Sequence, residues 1–295
     1  MKDAPFAEPG LITPGRSNGL LDIPRWRFLL SLLVKKELRV RYRGSALGLL
    51  WSYVKPAMQL VVFYIAMGKF LRLEQGMPNF VIYLFSGMVV VNFFGEVFGN
   101  TTRSIVLNAD LVKKIYLPRE LFPVSNVWVA IIHLVPQLVV LVIAALLSGW
   151  RPGLLNLAAV LAALLLTMIF ALGMGLLFGA FNVLFRDAEN IVELIMMMAT
   201  WVSPVLYTWS HVRNVLPESV QGFYLAYPIT QAVELNHYGF WIPTTALSEQ
   251  FGNSTGPMVA NLGMWAAVAF GISVAWLVLG QAVFRRLESR FAQEL

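Results

Sequence analysis

KKELRVRYRGSALGLLWSYVKP, residues 35–56, passes from five cations within nine residues straight into an apolar run. Cations at that density favour an aqueous, anion-rich surface, and the run that follows favours hydrocarbon. The junction therefore marks a membrane interface, and the flanking sequence extends that reading. Of 295 residues, 58% are hydrophobic and only 13% charged, about half the charged share of a soluble domain. An ordinary soluble fold is excluded. Bilayer crossings are predicted at residues 47–69, 80–102, 121–148, 155–182, 189–208 and 258–284, since a hydrocarbon layer of ~30 Å takes roughly 20 apolar residues as helix. The predicted fold is an all-α polytopic membrane protein. Six transmembrane helices fill residues 47–295, with an amphipathic interface helix at 25–46 before them.

An even number of crossings leaves both termini on one side. That side then holds 17 Lys and Arg residues, against four on the other: Lys69, Arg72, Arg151 and Arg213. Lys55 falls within the first span. The asymmetry places both termini in the cytoplasm. Residues 1–24 carry Pro5, Pro9, Pro14 and Pro24 and have no apolar core of a cleavable signal, so they read as a disordered cytoplasmic tail. The chain has no cysteine, which excludes disulfides, thiol catalysis and thiolate metal sites. Its net charge of +6 serves orientation, and no nucleic-acid partner is expected. The long outer segment, 209–257, is rich in rings, among them Trp209, Phe223, Tyr224, Tyr227 and Trp241. It is expected to form one or two short helices that dip back toward the membrane.

Several segments could carry function, and each has a plainer reading beside it. On a helical wheel Lys35, Lys36, Arg39 and Arg43 share one arc, and Trp26, Leu29, Leu30, Leu33 and Val40 another. This pattern predicts an in-plane interfacial helix, although residues 38–43 also alternate with period two, as a short strand would. The segment serves either as a positive-inside anchor or as a surface whose guanidinium forks bind phosphate. Glu37 and Arg41 fall in the apolar arc, spaced to pair with each other. The loop RSIVLNADLVKKIYLPREL, residues 103–121, predicts a short helix capped by Asn108 or Asp110 and stopped by Pro118. It is a plain connection or an insert for a partner's groove.

Polar residues inside the spans are few: Lys55, Gln59, Asn92, Glu96, His133 and Gln137. Glu96 and His133 suit either a packed pair or a proton relay. Gly175 and Gly179, with Ala171 one turn earlier, predict a helix-packing face. The run Met196–Met198 reads as adaptable packing. His211 and His237 read as outer surface residues, without ligand spacing. No phosphate-binding G-x-x-x-x-G-K-[ST] loop, HExxH motif or paired catalytic carboxylates occur. The chain is therefore not expected to be an enzyme by itself or to hold a metal or cofactor, and any ATP work needs a second polypeptide.

Taken in order, 35–56, LPRELFPVSNV at 117–127, FNVLFRDAENI at 181–191, TWVSPVLY at 200–207 and FRRLESRFAQEL at 284–295 resemble the permease subunit of ABC-2 type polysaccharide exporters. That class moves O-antigen, teichoic acid or galactan, and the chain is most similar in character to actinobacterial galactan exporters. The resemblance implies a homodimer in the bacterial inner membrane, with two cytoplasmic nucleotide-binding subunits that supply ATP and Mg. The implied cargo is a polyprenyl-pyrophosphate-linked polysaccharide. Its headgroup would meet Arg39, Arg41, Arg43 and Lys55, and its sugars Trp51, Tyr53, Tyr64, Phe93, Phe94, Trp201 and Tyr207. Coupling to the ATPase would use Asp110, Leu111, Lys113, Lys114, Ile115 and Tyr116, with Arg186 and Asp187 as a second contact. Phe223, Tyr224, Tyr227 and Trp241 would form the outer gate. Two rivals stand beside this: export of a small amphiphile by the same architecture, and a partner-independent transporter or membrane enzyme built on Glu96 and His133.

Overall fold

A computed structural model describes residues 19–75, 77–114, 117–245 and 258–295. These residues form eleven α-helices and no strand. In chain order they are α1 (Arg27–Arg41), α2 (Trp51–Phe63), α3 (Phe80–Leu107), α4 (Ala109–Lys114), α5 (Leu121–Leu147), α6 (Leu154–Leu184), α7 (Ala188–Val202), α8 (Trp209–Val215), α9 (Glu218–Ala226), α10 (Pro228–Phe240) and α11 (Leu262–Glu294). Among the described residues five helical stretches are long and apolar enough to cross a membrane: Gly48–Phe70, Phe80–Leu107, Leu121–Leu147, Leu154–Leu184 and Leu262–Glu294. A helix satisfies its own backbone groups, which is what hydrocarbon demands. The first stretch is composite, with α2 between a 3-10 turn at Gly48–Leu50 and a π-helical turn at Tyr64–Phe70.

The crossing predicted at 189–208 is shorter than the rest. α7 holds 15 residues, about 22 Å at 1.5 Å per residue. It ends at Val202 because Ser203 precedes Pro204 and is extended, with ψ 155°.

α3 is the centre of the bundle, packed by α5, α6, α7 and α10. Gly175 and Gly179 let α6 approach it as expected. A Cβ on Gly175 would lie 2.6 Å from Thr101 Cβ, and one on Gly179 3.3 Å from the Thr101 carbonyl oxygen. A second close crossing joins α6 to α11. There a Cβ on Gly173 would lie 2.6 Å from the Leu277 backbone nitrogen, and one on Gly280 would strike the Gly173 carbonyl. Between these crossings Phe94 packs on Phe98 and Phe170, with ring centroids 5.4 and 5.8 Å apart.

The outer segment dips back as predicted, but with three short helices, α8, α9 and α10, where one or two were expected. Tyr227, just before α10, meets Phe170 of α6 edge to face at 6.2 Å. The far end of α10 is tied to the start of α6, where Asn156 donates to the Tyr238 carbonyl at 2.8 Å. Phe170 and Asn156 are 14 residues apart on α6, about 21 Å. α9 and α10 thus make a re-entrant hairpin, with α10 buried at every position but Tyr238. His237 is not the surface residue predicted. It is buried and stacked on Tyr83 with centroids 3.9 Å apart, because α10 returns into the bundle.

Residues 1–18 of the predicted disordered tail, and 246–257 of the outer segment, lie outside the described residues. Residues 19–24 depart from the tail reading: Gly19–Trp26 is a 3-10 helix with Asp22 buried. Trp26, Leu29, Leu30 and Leu33 then pack with Leu121, Phe122, Phe284 and Phe291 in a second, smaller core. Val40, assigned to the same arc, is 59% exposed.

A candidate anion and sugar site between α1, α2, α3 and α5

Two anchors fix the orientation of α1. Lys36 binds Glu37 at 2.9 Å and also Asn108, whose amide donates to Glu37 at 3.2 Å and to the Ser104 carbonyl at 2.8 Å. The Asn108 side chain therefore ties α1 to α3 instead of capping α4; its backbone carbonyl accepts from Leu111 and Val112 at 2.9 and 3.0 Å. Deeper in the bundle Arg41 forms an ion pair with Glu96. Asn108 and Glu96 are 12 residues apart on one run of α3, about 18 Å. α1 consequently runs along α5 at a slope to α3, from the Asn108 end toward Glu96. The predicted Glu37–Arg41 pair gives way to Lys36–Glu37 and Arg41–Glu96.

Where α1 reaches the bundle, α2 stands apart from α3 and α5 and leaves a cavity of about 760 Å³. Its cations are Arg41 and Lys55, and its rings include Tyr42, Trp51 and Phe93. Gln59, Asn92, Gln137 and Thr200 add amides and a hydroxyl. Glu96 and His133, read as a packed pair or a relay, line the same space. His133 Nδ1 is 3.0 Å from Glu96 Oε1 and 2.9 Å from Arg41 Nη1, so one guanidinium nitrogen faces both the carboxylate and the imidazole. His133 Nε2 is 2.8 Å from the Tyr42 hydroxyl, which is 3.0 Å from Ser52 Oγ. Asn100 donates to Glu96 Oε1 at 2.9 Å. Lys55 has no ion pair among the described residues. Such a wall offers forked and point-charge cations to an anion, with flat rings and amides beside them for a hydroxylated ligand.

The other predicted residues are dispersed. Arg39 and Arg43 are exposed and do not line the cavity. Of the rings assigned to a sugar path, Trp51 and Phe93 line it. Phe94 is wholly buried in the core, and Tyr53 and Trp201 are exposed elsewhere. Tyr64 donates to Glu74 at 2.9 Å. Tyr207 donates to the Trp201 and Val202 carbonyls at 2.6 and 3.0 Å, closing the end of α7. In α4, Asp110, Lys113 and Lys114 are exposed and Leu111 is half-buried against the smaller core. Ile115 and Tyr116 lie outside the described residues. Arg186 and Asp187 are exposed between α6 and α7. At the opposite end Phe223 is exposed, whereas Tyr224 stacks on Trp209 at 5.9 Å. Trp241 is buried and donates to the Pro78 carbonyl at 2.7 Å. Tyr42, Ser52 and Asn100 were not singled out by the sequence. The adjacency of Tyr42 to Arg41 and Arg43 was the one available signal.

The profile of ABC-2 type transporters matches residues 29–241, which span α1 to the end of α10 and hold the entire cavity. The chain belongs to the ABC-2 type transporter family. Among relatives of this ABC-2 protein, the O-antigen export system permease protein RfbA of Klebsiella pneumoniae is 26% identical over 267 residues, covering 90% of this chain and 95% of the relative. The RfbA permease of Myxococcus xanthus is 29% identical over 205 residues, 70% of this chain and 76% of its own length. The capsule polysaccharide export inner-membrane protein CtrC of Neisseria meningitidis is 24% identical over 237 residues, 75% and 85% of the two chains. This ABC-2 chain is thus a multi-pass membrane subunit of a transporter.

Proposed function

We propose that the chain is the permease of an ATP-driven exporter of polyprenyl-pyrophosphate-linked polysaccharide, of the O-antigen or galactan type. The carrying observation is the cavity that joins Arg41 and Lys55 to Trp51 and Phe93. A pyrophosphate presents several anionic oxygens to the cations, and the first sugars present hydroxyls and flat C–H faces to the amides and rings. The relatives' names, export permeases for O-antigen and capsule polysaccharide, support the same cargo class.

The end that carries α4, Arg103 and Arg186 is the cytoplasmic one, following the excess of basic residues in its loops. There α4, with Asp110, Lys113 and Lys114 exposed, docks a nucleotide-binding subunit that holds ATP and Mg. Arg186 and Asp187 form the second contact. Two copies of the chain assemble with two such subunits in the inner membrane, and the α8–α10 segment closes the outer mouth. Arg39 and Arg43, exposed beside the cavity, draw the headgroup toward Arg41.

Co-expression with a cognate ATPase tests this. The expected result is a two-plus-two complex with ATP turnover that loses assembly when the exposed Lys113 and Lys114 are both changed to Glu, the permease still purifying as a folded protein. A chain that purifies alone and leaves ATP turnover unchanged would overturn it.

A further inference from the structure

Among the described residues Glu96 is the one acidic side chain in the cavity wall, and it occupies the guanidinium that an anionic ligand needs. Arg41 Nη1 carries two hydrogens. Nη1 lies within hydrogen-bond reach of both Glu96 Oε1 and His133 Nδ1; when it donates one hydrogen to each, Nδ1 is the accepting ring nitrogen and Nε2 carries the hydrogen toward Tyr42. Glu96 Oε1 and His133 Nδ1 stand 3.0 Å apart. If Arg41 turns to another anion, two lone pairs are left facing each other at hydrogen-bond distance. A proton on Nδ1 converts that contact into a charge-assisted hydrogen bond. The groups facing His133 permit this. They are Arg41 at the end of α1 and Tyr42 just after it, Lys55 of α2 across the cavity, and Glu96 of α3; α7 contributes no titratable group to the wall.

We infer that Glu96 and His133 form a counter-ion latch on Arg41: a phosphoryl oxygen takes Arg41 from Glu96, and His133 binds one proton from solvent to hold the released carboxylate. The inference rests on the cavity being a pyrophosphate site. The Arg41–Nδ1 bond breaks, the Nδ1–H bond forms, and Nε2–H stays on Tyr42. Glu96 thereby becomes a specificity residue. A singly charged ligand gains too little to displace it, while a multiply charged one succeeds and restores part of the charge balance through His133. Binding is then linked to proton uptake, and affinity falls as pH rises. In the empty cavity the latch also neutralises Arg41, which limits unproductive binding of monoanions.

The test is calorimetric titration of the purified full chain in lipid nanodiscs, near neutral pH, in Pipes and in Tris, whose ionisation enthalpies differ. Inorganic pyrophosphate and farnesyl pyrophosphate serve as separate probes, with Arg41→Ala as the binding control. The expected wild-type result is binding with uptake approaching about one proton per ligand. His133→Gln should still bind, without uptake. Glu96→Gln should bind several-fold tighter, also without uptake, and discriminate less between pyrophosphate and monophosphate. Farnesyl pyrophosphate binding far more tightly than the inorganic anion identifies a lipid headgroup as the ligand; equal affinities identify a free phosphate compound. Wild-type binding that depends on Arg41 but takes up no proton, or equal uptake in both variants, overturns the latch and leaves the headgroup reading intact. If neither probe binds, both are overturned.

Discussion

α3 and the first crossing are both apolar helices of membrane-spanning length, and they are treated in opposite ways. In α3, 20 of 28 residues are buried, with Leu84, Val89, Phe94, Val97 and Phe98 fully enclosed. Along Gly48–Phe70 only Pro56 and Gly68 are buried. α3 is the scaffold. The first crossing is a wall with one face on the cavity, through Ser52, Lys55 and Gln59, and another that leaves Met58, Val61 and Val62 open. In water that open face would be a liability. In a bilayer it meets lipid or, in the proposed homodimer, a second copy. The functional groups therefore sit where a rigid helix meets a loosely held one, which fixes Glu96 in place while leaving room for a ligand beside it.

The sharpest way to break this contrast is to overfill the scaffold. Gly280→Val places carbon against the Gly173 carbonyl, with backbone on both sides and no side chain free to yield. A cost of about 3 kcal/mol or more is expected, seen as loss of monodisperse protein on size exclusion. A smaller loss follows from Tyr83→Phe, since the hydroxyl lies within 2.8 Å of the Pro204 carbonyl oxygen and 2.7 Å of the Tyr207 one. Removing that buried donor should cost about 1–3 kcal/mol, read as a lower melting temperature in detergent.

At the outer end of the first crossing the effects shrink. Hydrogen bonds from Lys69 first, and then Tyr64, hold the Glu74 carboxyl below its ordinary value. A lowered pKa stabilises the fold above the unfolded-state value and loses that contribution as pH falls through the folded one. The melting temperatures of wild type and Glu74→Gln should therefore differ slightly at neutral pH and converge in acid. The smallest effect is expected on the open face. Val62→Ala, at a residue 55% exposed, should change stability by no more than about 0.5 kcal/mol.

Much of this division was legible from patterning. The apolar runs located four full crossings and the last one, and the Gly175/Gly179 spacing located the α3–α6 contact. What escaped depends on contacts remote in sequence. Pro204 sits in TWVSPVLY and could have warned that α7 stops early, because a residue before proline resists the helical conformation. The Gly173–Gly280 crossing brings together residues 107 positions apart, with no local motif to announce it. The return of the outer segment was anticipated from its rings, but not that it would bury the polar face of α10, PITQAVELNHYGF, and with it Thr230, Gln231, Glu234 and His237. Glu96 and His133 were visible as a pair. Their third member, Arg41, was assigned instead to Glu37, since nothing in the local pattern reveals that α1 slopes toward α3.

In the proposed function a lipid-linked glycan occupies the space between the wall and the scaffold. Photo-crosslinking with benzoylphenylalanine tests it most directly, at Gln59 on the cavity side and at Ile143 on the open face of α5. The assay would use cells that make the lipid-linked saccharide with a radiolabelled sugar. A glycan in the cavity gives a labelled adduct at Gln59, diminished by Arg41→Ala, and none at Ile143. Label at Ile143 with none at Gln59, or a Gln59 adduct indifferent to Arg41, would contradict it.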